Sequence, residues 1–223
     1  MSRFWAKVLI ILWKDILSEL RTRDIVASVF VFALLVVVIF NFALEPGTQN
    51  IEVVAPGILW TAFAFAGILA LNRTFVREKD RGCLDGLMLC PVEREVIYVG
   101  KMLGSFIFML AVEVIILPIF CFLLDVPLST IPQLILVTVL ATIGFVAVGT
   151  LFSTIAVNTR AREIMLPVLF LPVVTPVIIA AVESSALVLS DATLAWDWLG
   201  MIIAFDVIFV VVSAFVFEFT LES

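Results

Sequence analysis

From Ile25 to Leu44 the chain runs for 20 residues without a charged side chain. As a helix rising about 1.5 Å per residue, that run covers about 30 Å, the thickness of a bilayer's hydrocarbon core. Five more apolar runs follow, at about residues 53–72, 102–124, 131–157, 164–182 and 198–217. Together they take up more than half of the 223 residues, of which 64% are hydrophobic and 14% charged. A soluble domain carries roughly 25% charge, so most of this surface must face lipid. One transmembrane domain, residues 1–223, is expected, with no room for a nucleotide-binding module.

The basic residues orient the runs. All 13 Lys and Arg fall within residues 3–23, 73–101 and 160–162, which are the N-terminus and the connections after spans two and four. The connections after spans one, three and five hold only acids: Glu45, Glu52, Asp125, Glu183, Asp191 and Asp197. Lys and Arg mark the cytoplasmic side, so both termini are expected inside. Met1–Asp24 is too charged, and too long before the first apolar run, to read as a cleavable signal peptide. Trp5, Val8, Leu9, Leu12, Trp13, Ile16 and Leu20 recur at helical spacing, with Arg3, Lys7, Lys14, Ser18 and Arg21 on the other side. That pattern predicts an interfacial amphipathic helix; packing against the other spans is the alternative. Glu183–Asp197, rich in Ser, Ala and Asp, reads as a connection, either a loop or a re-entrant segment.

Enzyme chemistry finds no footing. The chain has no histidine, and Cys83, Cys90 and Cys121 show no CxxC spacing, so no catalytic residues and no metal site are expected. Gly100-Lys101 lacks the first glycine of a phosphate loop, because position 95 is Glu. Two acids stand inside spans, Glu113 and Asp206. A carboxylate at the bilayer centre costs roughly 2.5–3.5 kcal/mol on insertion scales, so such residues usually face a bundle interior or mark a functional path. Trp196-Asp197-Trp198 reads either as an outer aromatic patch or as belt residues with a helix cap at Asp197. Ala62, Ala66 and Ala70 form a small-residue stripe, and Gly144 and Gly149 another site of close packing. Pro167, Pro172 and Pro176 offer a hinge in the fifth span or merely a kink.

The most informative stretch is Arg73–Lys101. Arg77, Glu78 and Asp80 precede Gly82; Leu84, Leu87, Met88 and Leu89 form a short apolar ridge; Pro91 stops it; Arg94 and Gly100-Lys101 follow. This predicts a short amphipathic helix on the cytoplasmic face, held between spans two and three and able to transmit a push from a soluble partner. A plain basic loop is the alternative.

This pattern resembles the coupling segment of ABC-2-type exporter permeases. More narrowly, Ala55-Pro-Gly-Ile-Leu-Trp60, Leu69-Ala-Leu71, Arg77 to Gly82, Leu87-Met-Leu89 with Pro91, and Leu166-Pro-Val-Leu-Phe-Leu-Pro172 with Pro176 resemble the haem exporter protein B family, the CcmB-type permeases of cytochrome c maturation. The likeness covers most of residues 53–182 and thins in the last span, which closes Phe217-Glu-Phe-Thr-Leu-Glu-Ser223 without a basic residue. The resemblance implies a permease subunit of the bacterial cytoplasmic (inner) membrane without its own ATPase site. Its implied partners are a cytoplasmic ABC ATPase in two copies, a haem-handling membrane subunit with a tryptophan-rich motif, a small single-span subunit and a second copy of itself. ATP would be held by the ATPase and haem handled by the complex; nucleic acid is not expected. ATP hydrolysis would drive haem export or release of a haem-loaded periplasmic chaperone. Tyr98, Cys83 and Cys90, candidate haem ligands by type, fall on the basic side. Arg77, Glu78, Asp80, Gly82, Leu84, Leu87, Pro91 and Arg94 would form the ATPase-coupling segment. A generic exporter of lipid, polysaccharide or drug, a non-transporting scaffold and a stand-alone secondary transporter are the competing readings.

Overall fold

The computed structural model describes residues 2–22, 24–43, 51–80, 82–90, 92–124, 126–157, 159, 162–191 and 194–220. Among these, α1 is Ser2–Thr22, α2 Asp24–Ala43, α3 Ile51–Asp80, α4 Cys83–Met88, α5 Arg94–Leu123, α6 Ile131–Val157, α7 Arg162–Asp191 and α8 Trp196–Thr220. Helices α2, α3, α5, α6, α7 and α8 are long and apolar enough to cross a membrane. The chain is an all-α, multi-pass membrane protein. Lipid offers the backbone no hydrogen bonds, so each crossing segment must close its own ladder, which a helix does.

Helix α6 is the centre. It is buried along most of its length and packs against α3, α5, α7 and α8. Small residues permit this. A Cβ on Gly149 would overlap the Leu71 side chain of α3, and one on Gly144 would overlap Asp206 and Phe205 of α8. The Ala62, Ala66 and Ala70 stripe is buried as expected, on the inner face of α3. Sparse polar ties cross the bundle, as is common where lipid cannot drive helix association. Tyr98 donates its hydroxyl to the Ala147 carbonyl at 3.0 Å, and Asn41 donates to the Leu123 carbonyl at 2.6 Å.

Three expected boundaries shift. The second and third spans do not stop near residues 72 and 102: α3 continues through Asp80 and α5 begins at Arg94. Their charged ends find partners in the fold, so the polar stretch from 73 to 101 is mostly helix. The Glu183–Asp197 connection is also shorter than expected, because α7 runs to Asp191. Ser184 and Ser185 are buried there, and the Ser185 hydroxyl donates to the Ala181 carbonyl of the preceding turn at 2.7 Å. A serine that bonds its own helix need not end it. Pro167, Pro172 and Pro176 lie within the same helix without interrupting it. Asp197 falls in the first turn of α8, one position beyond its start, where an acid still complements the helix dipole.

Helix α1 uses its apolar surface twice. Val8 and Ile11 are buried against Val96, Ile97 and Tyr98 of α5. Trp5, Leu9 and Trp13 point outward and are exposed.

Candidate functional site

Helix α3 ends where Gly82 adopts φ +67°, and its N–H bonds back to the Lys79 carbonyl at 3.0 Å. A residue with a side chain is strained in that left-handed conformation, which is why glycine closes helices there. Arg77 and Lys79 stand in the last turn, where cations complement the helix dipole. The chain then makes the six-residue α4 and enters α5 at Arg94, with Glu93 just before it and Glu95 in its first turn. A short helix between two long ones matches the sequence expectation, and two leucines of this turn, one in α4 and one just past its end, divide the labour. Leu87 packs inward on the Val8–Ile11–Tyr98 cluster, whereas Leu89 is 88% exposed. Asp80 and Gly82 are exposed, and Arg77 and Arg94 are half-buried. Leu84 lies in α4, and Pro91 lies outside the described residues.

Glu78 does not share the outward face. It turns inward to a four-membered charge cluster with Lys14 and Asp15 of α1 and Lys101 of α5. Lys14 Nζ lies 2.9 Å from Glu78 Oε1 and 2.9 Å from Asp15 Oδ1. Lys101 Nζ lies 3.2 Å from Asp15 Oδ2 and pairs with Glu78 Oε2. Only 2% of the Lys101 side chain is exposed, and its ammonium sits 5.7 Å from the centre of the Phe75 ring. Burial pulls the Lys14 pKa down, but Glu78 and Asp15 outweigh it and hold the ammonium above its usual range. For Asp15 burial dominates and pushes the carboxyl up. Two cations and two carboxylates thus tie α1, α3 and α5 together directly behind α4.

Sequence reasoning missed Lys14, Asp15 and Lys101. The signal was present: Lys101 stands two turns inside the apolar face of α5, between Gly100 and Met102. Such a lysine needs a buried counter-ion, but nothing in the sequence says that it comes from residues 15 and 78.

The two intramembrane acids both face α6. Glu113 is buried and accepts a 2.7 Å hydrogen bond from the Thr142 hydroxyl, while its Oε2 has no hydrogen-bond partner. Asp206, also buried, lies against Gly144 and leaves Oδ1 without a partner. Thr142 and Gly144 are two residues apart, about 3 Å along the axis, so both acids bear on one level of the central helix. Near Glu113, Trp60 donates its indole N–H to Ser185 at 3.0 Å. Trp196 is exposed at the start of α8, while Trp198 packs half-buried on the main core, so the two indoles do not share one face. Tyr98 is fully buried and Cys83 and Cys90 are exposed.

A family model described as CcmB protein matches residues 6–223, including the last helix where the sequence motifs thin. The chain is 28% identical over 153 residues to heme exporter protein B of Pseudomonas aeruginosa, covering 69% of each chain. It is 30% identical over 152 residues to heme exporter protein B of Rhodobacter capsulatus, covering 68% of this chain and 70% of the relative. It is 26% identical over 176 residues to heme exporter protein B of Bradyrhizobium diazoefficiens, covering 79% of each.

Proposed function

The chain belongs to the CcmB protein family, and on that premise we propose that it is the permease subunit of an ATP-driven haem export system serving cytochrome c maturation, in the bacterial inner membrane. It carries no ATPase site of its own. Two copies of a cytoplasmic ATPase dock on the α3–α4–α5 connection of this chain and a second copy. A haem-handling subunit and a small single-span subunit complete the assembly. ATP hydrolysis drives haem export or release of a haem-loaded periplasmic chaperone.

The observation that carries this reading is the outward Leu89 on a braced turn. An apolar side chain 88% exposed between two charged helix ends suits a soluble partner's pocket. The charge cluster behind it links α4's two flanking helices to α1, so a push on α4 reaches three helices rather than bending one loop. The Lys/Arg distribution supports a cytoplasmic position for this turn, the side on which an ATPase would meet it.

The test is affinity capture of the tagged chain from its host membrane, with parent and Leu89→Asp compared by mass spectrometry. Leu89 is exposed, so the substitution leaves the bundle intact. Capture of an ATPase and haem-handling subunits by the parent, with the ATPase lost from Leu89→Asp, supports the reading. An ATPase without haem-handling partners favours a generic exporter. Capture without any ATPase favours a scaffold or a secondary transporter.

A further inference from the structure

A cleft of about 180 Å³ lies in the angle between α1 and α2, closed behind by α3 and α5. Its α5 wall runs from Lys101 to Ala111, ten residues or about 15 Å. The two ends differ in chemistry. One holds Asp15, Glu19 and Lys101; the other is walled by apolar side chains such as Leu71, Phe108 and Met109. Ile107, 41% exposed, and Ala111, also exposed, line the cleft, so it opens sideways to where lipid lies.

The charged end is selective. Lys101 is committed to Asp15 and Glu78, so an anionic head group meets no free ammonium there. Glu19 is different: its Oε1 is buried and has no hydrogen-bond partner. Burial pushes the Glu19 carboxyl up, opposed by Arg77. A buried carboxylate oxygen without a donor is destabilising, and an N–H-bearing cation would remove that cost.

We propose that this cleft holds a bilayer phospholipid with a primary-ammonium head group, its N–H donating to Glu19 and one acyl chain lying along α5 between α2 and α3. The lipid fills the corner where α1 meets α2, and it holds α1 against the bundle. A quaternary ammonium head group has the charge but no N–H to donate, so it binds less well. An anionic head group without an amine binds least.

The test uses the full chain in nanodiscs containing equal parts of phosphatidylethanolamine, phosphatidylcholine and phosphatidylglycerol. Native mass spectrometry then reads the lipids retained after detergent release. The parent is expected to retain one phosphatidylethanolamine, enriched about tenfold over each of the others. Glu19→Gln keeps a lipid but loses most of that preference. Ser105→Phe, which fills the cleft from α5, loses the retained lipid, while circular dichroism and gel filtration report that both variants remain folded. Equal retention of all three lipids, unchanged in both variants, would mean annular lipid only and overturn the proposal. Preference for phosphatidylglycerol, or an ethanolamine preference that survives Glu19→Gln, would overturn it equally. If Glu19→Gln fails to fold, retention of the same lipid by Ser105→Phe still refutes the cleft.

Discussion

Removing the Lys101 ammonium should damage the protein more than removing any one of its partners. Lys101→Met keeps the length and apolar stem but deletes the charge that Asp15 and Glu78 share. A unit pair at the observed 3.2 Å attracts by roughly 5 kcal/mol at an effective dielectric of about 20. Burying the ammonium offsets part of this, but the substitution leaves two mostly buried carboxylates with only Lys14, whose side chain is 40% exposed. Breaking a buried ion pair from one side costs about 3–5 kcal/mol, and the low end applies because Lys14 remains. We expect Lys101→Met to destabilise the detergent-solubilised protein by about 3 kcal/mol in chemical unfolding. Glu78→Leu alone leaves Lys101 with Asp15 and should cost less. The double variant Lys101→Met with Glu78→Leu leaves Lys14 and Asp15 as a closed pair, and it should be more stable than Lys101→Met alone by at least about 1 kcal/mol. A Lys101→Met cost under about 0.5 kcal/mol, or strict additivity in the double variant, would refute the closed cluster.

Gly144→Ala should cost about 1–3 kcal/mol, because the new methyl overlaps Asp206 and Phe205 and forces α6 and α8 apart; thermal unfolding in detergent measures it. Thr142→Val keeps the shape but removes the donor to Glu113, and should cost about 1–3 kcal/mol in the same assay. Glu19 should make stability depend on pH. Burial raises its carboxyl above the ordinary 4.5, so the folded state holds the proton more tightly than the unfolded state. That stabilisation is present below pH 4.5 and is lost as pH rises through the folded value. In delipidating detergent Glu19→Gln should therefore match the parent at pH 4 and gain on it toward pH 8; a difference that does not change with pH would refute the assignment.

The six crossing helices, the small-residue stripes and the short helix after Gly82 were legible because each depends on neighbours close in sequence. An apolar run long enough to cross lipid has one way to satisfy its backbone, and alanines or glycines every few residues mark a close-packed face. The two intramembrane acids were legible as inward-facing for the same reason: lipid rejects them. Their alignment on Thr142 and Gly144 was not, because the register of α5 and α8 against α6 is a matter of packing.

That this chain spans a bilayer as six helices, and which runs cross it, could be read from the residues in order, since transfer into lipid is a property of each segment alone. Where α3 and α5 end, and what Glu78 does, depended on packing between distant parts of the chain. Charged residues at 73–80 and 94–101 read as a loop until Lys14 and Asp15 arrive from α1 to neutralise Glu78 and Lys101. The same holds for residues 183–191, whose serines stay helical because one hydroxyl bonds its own backbone and accepts from Trp60. A charge can be buried only beside its counter-charge, and in this fold the two lie up to 86 residues apart in the chain.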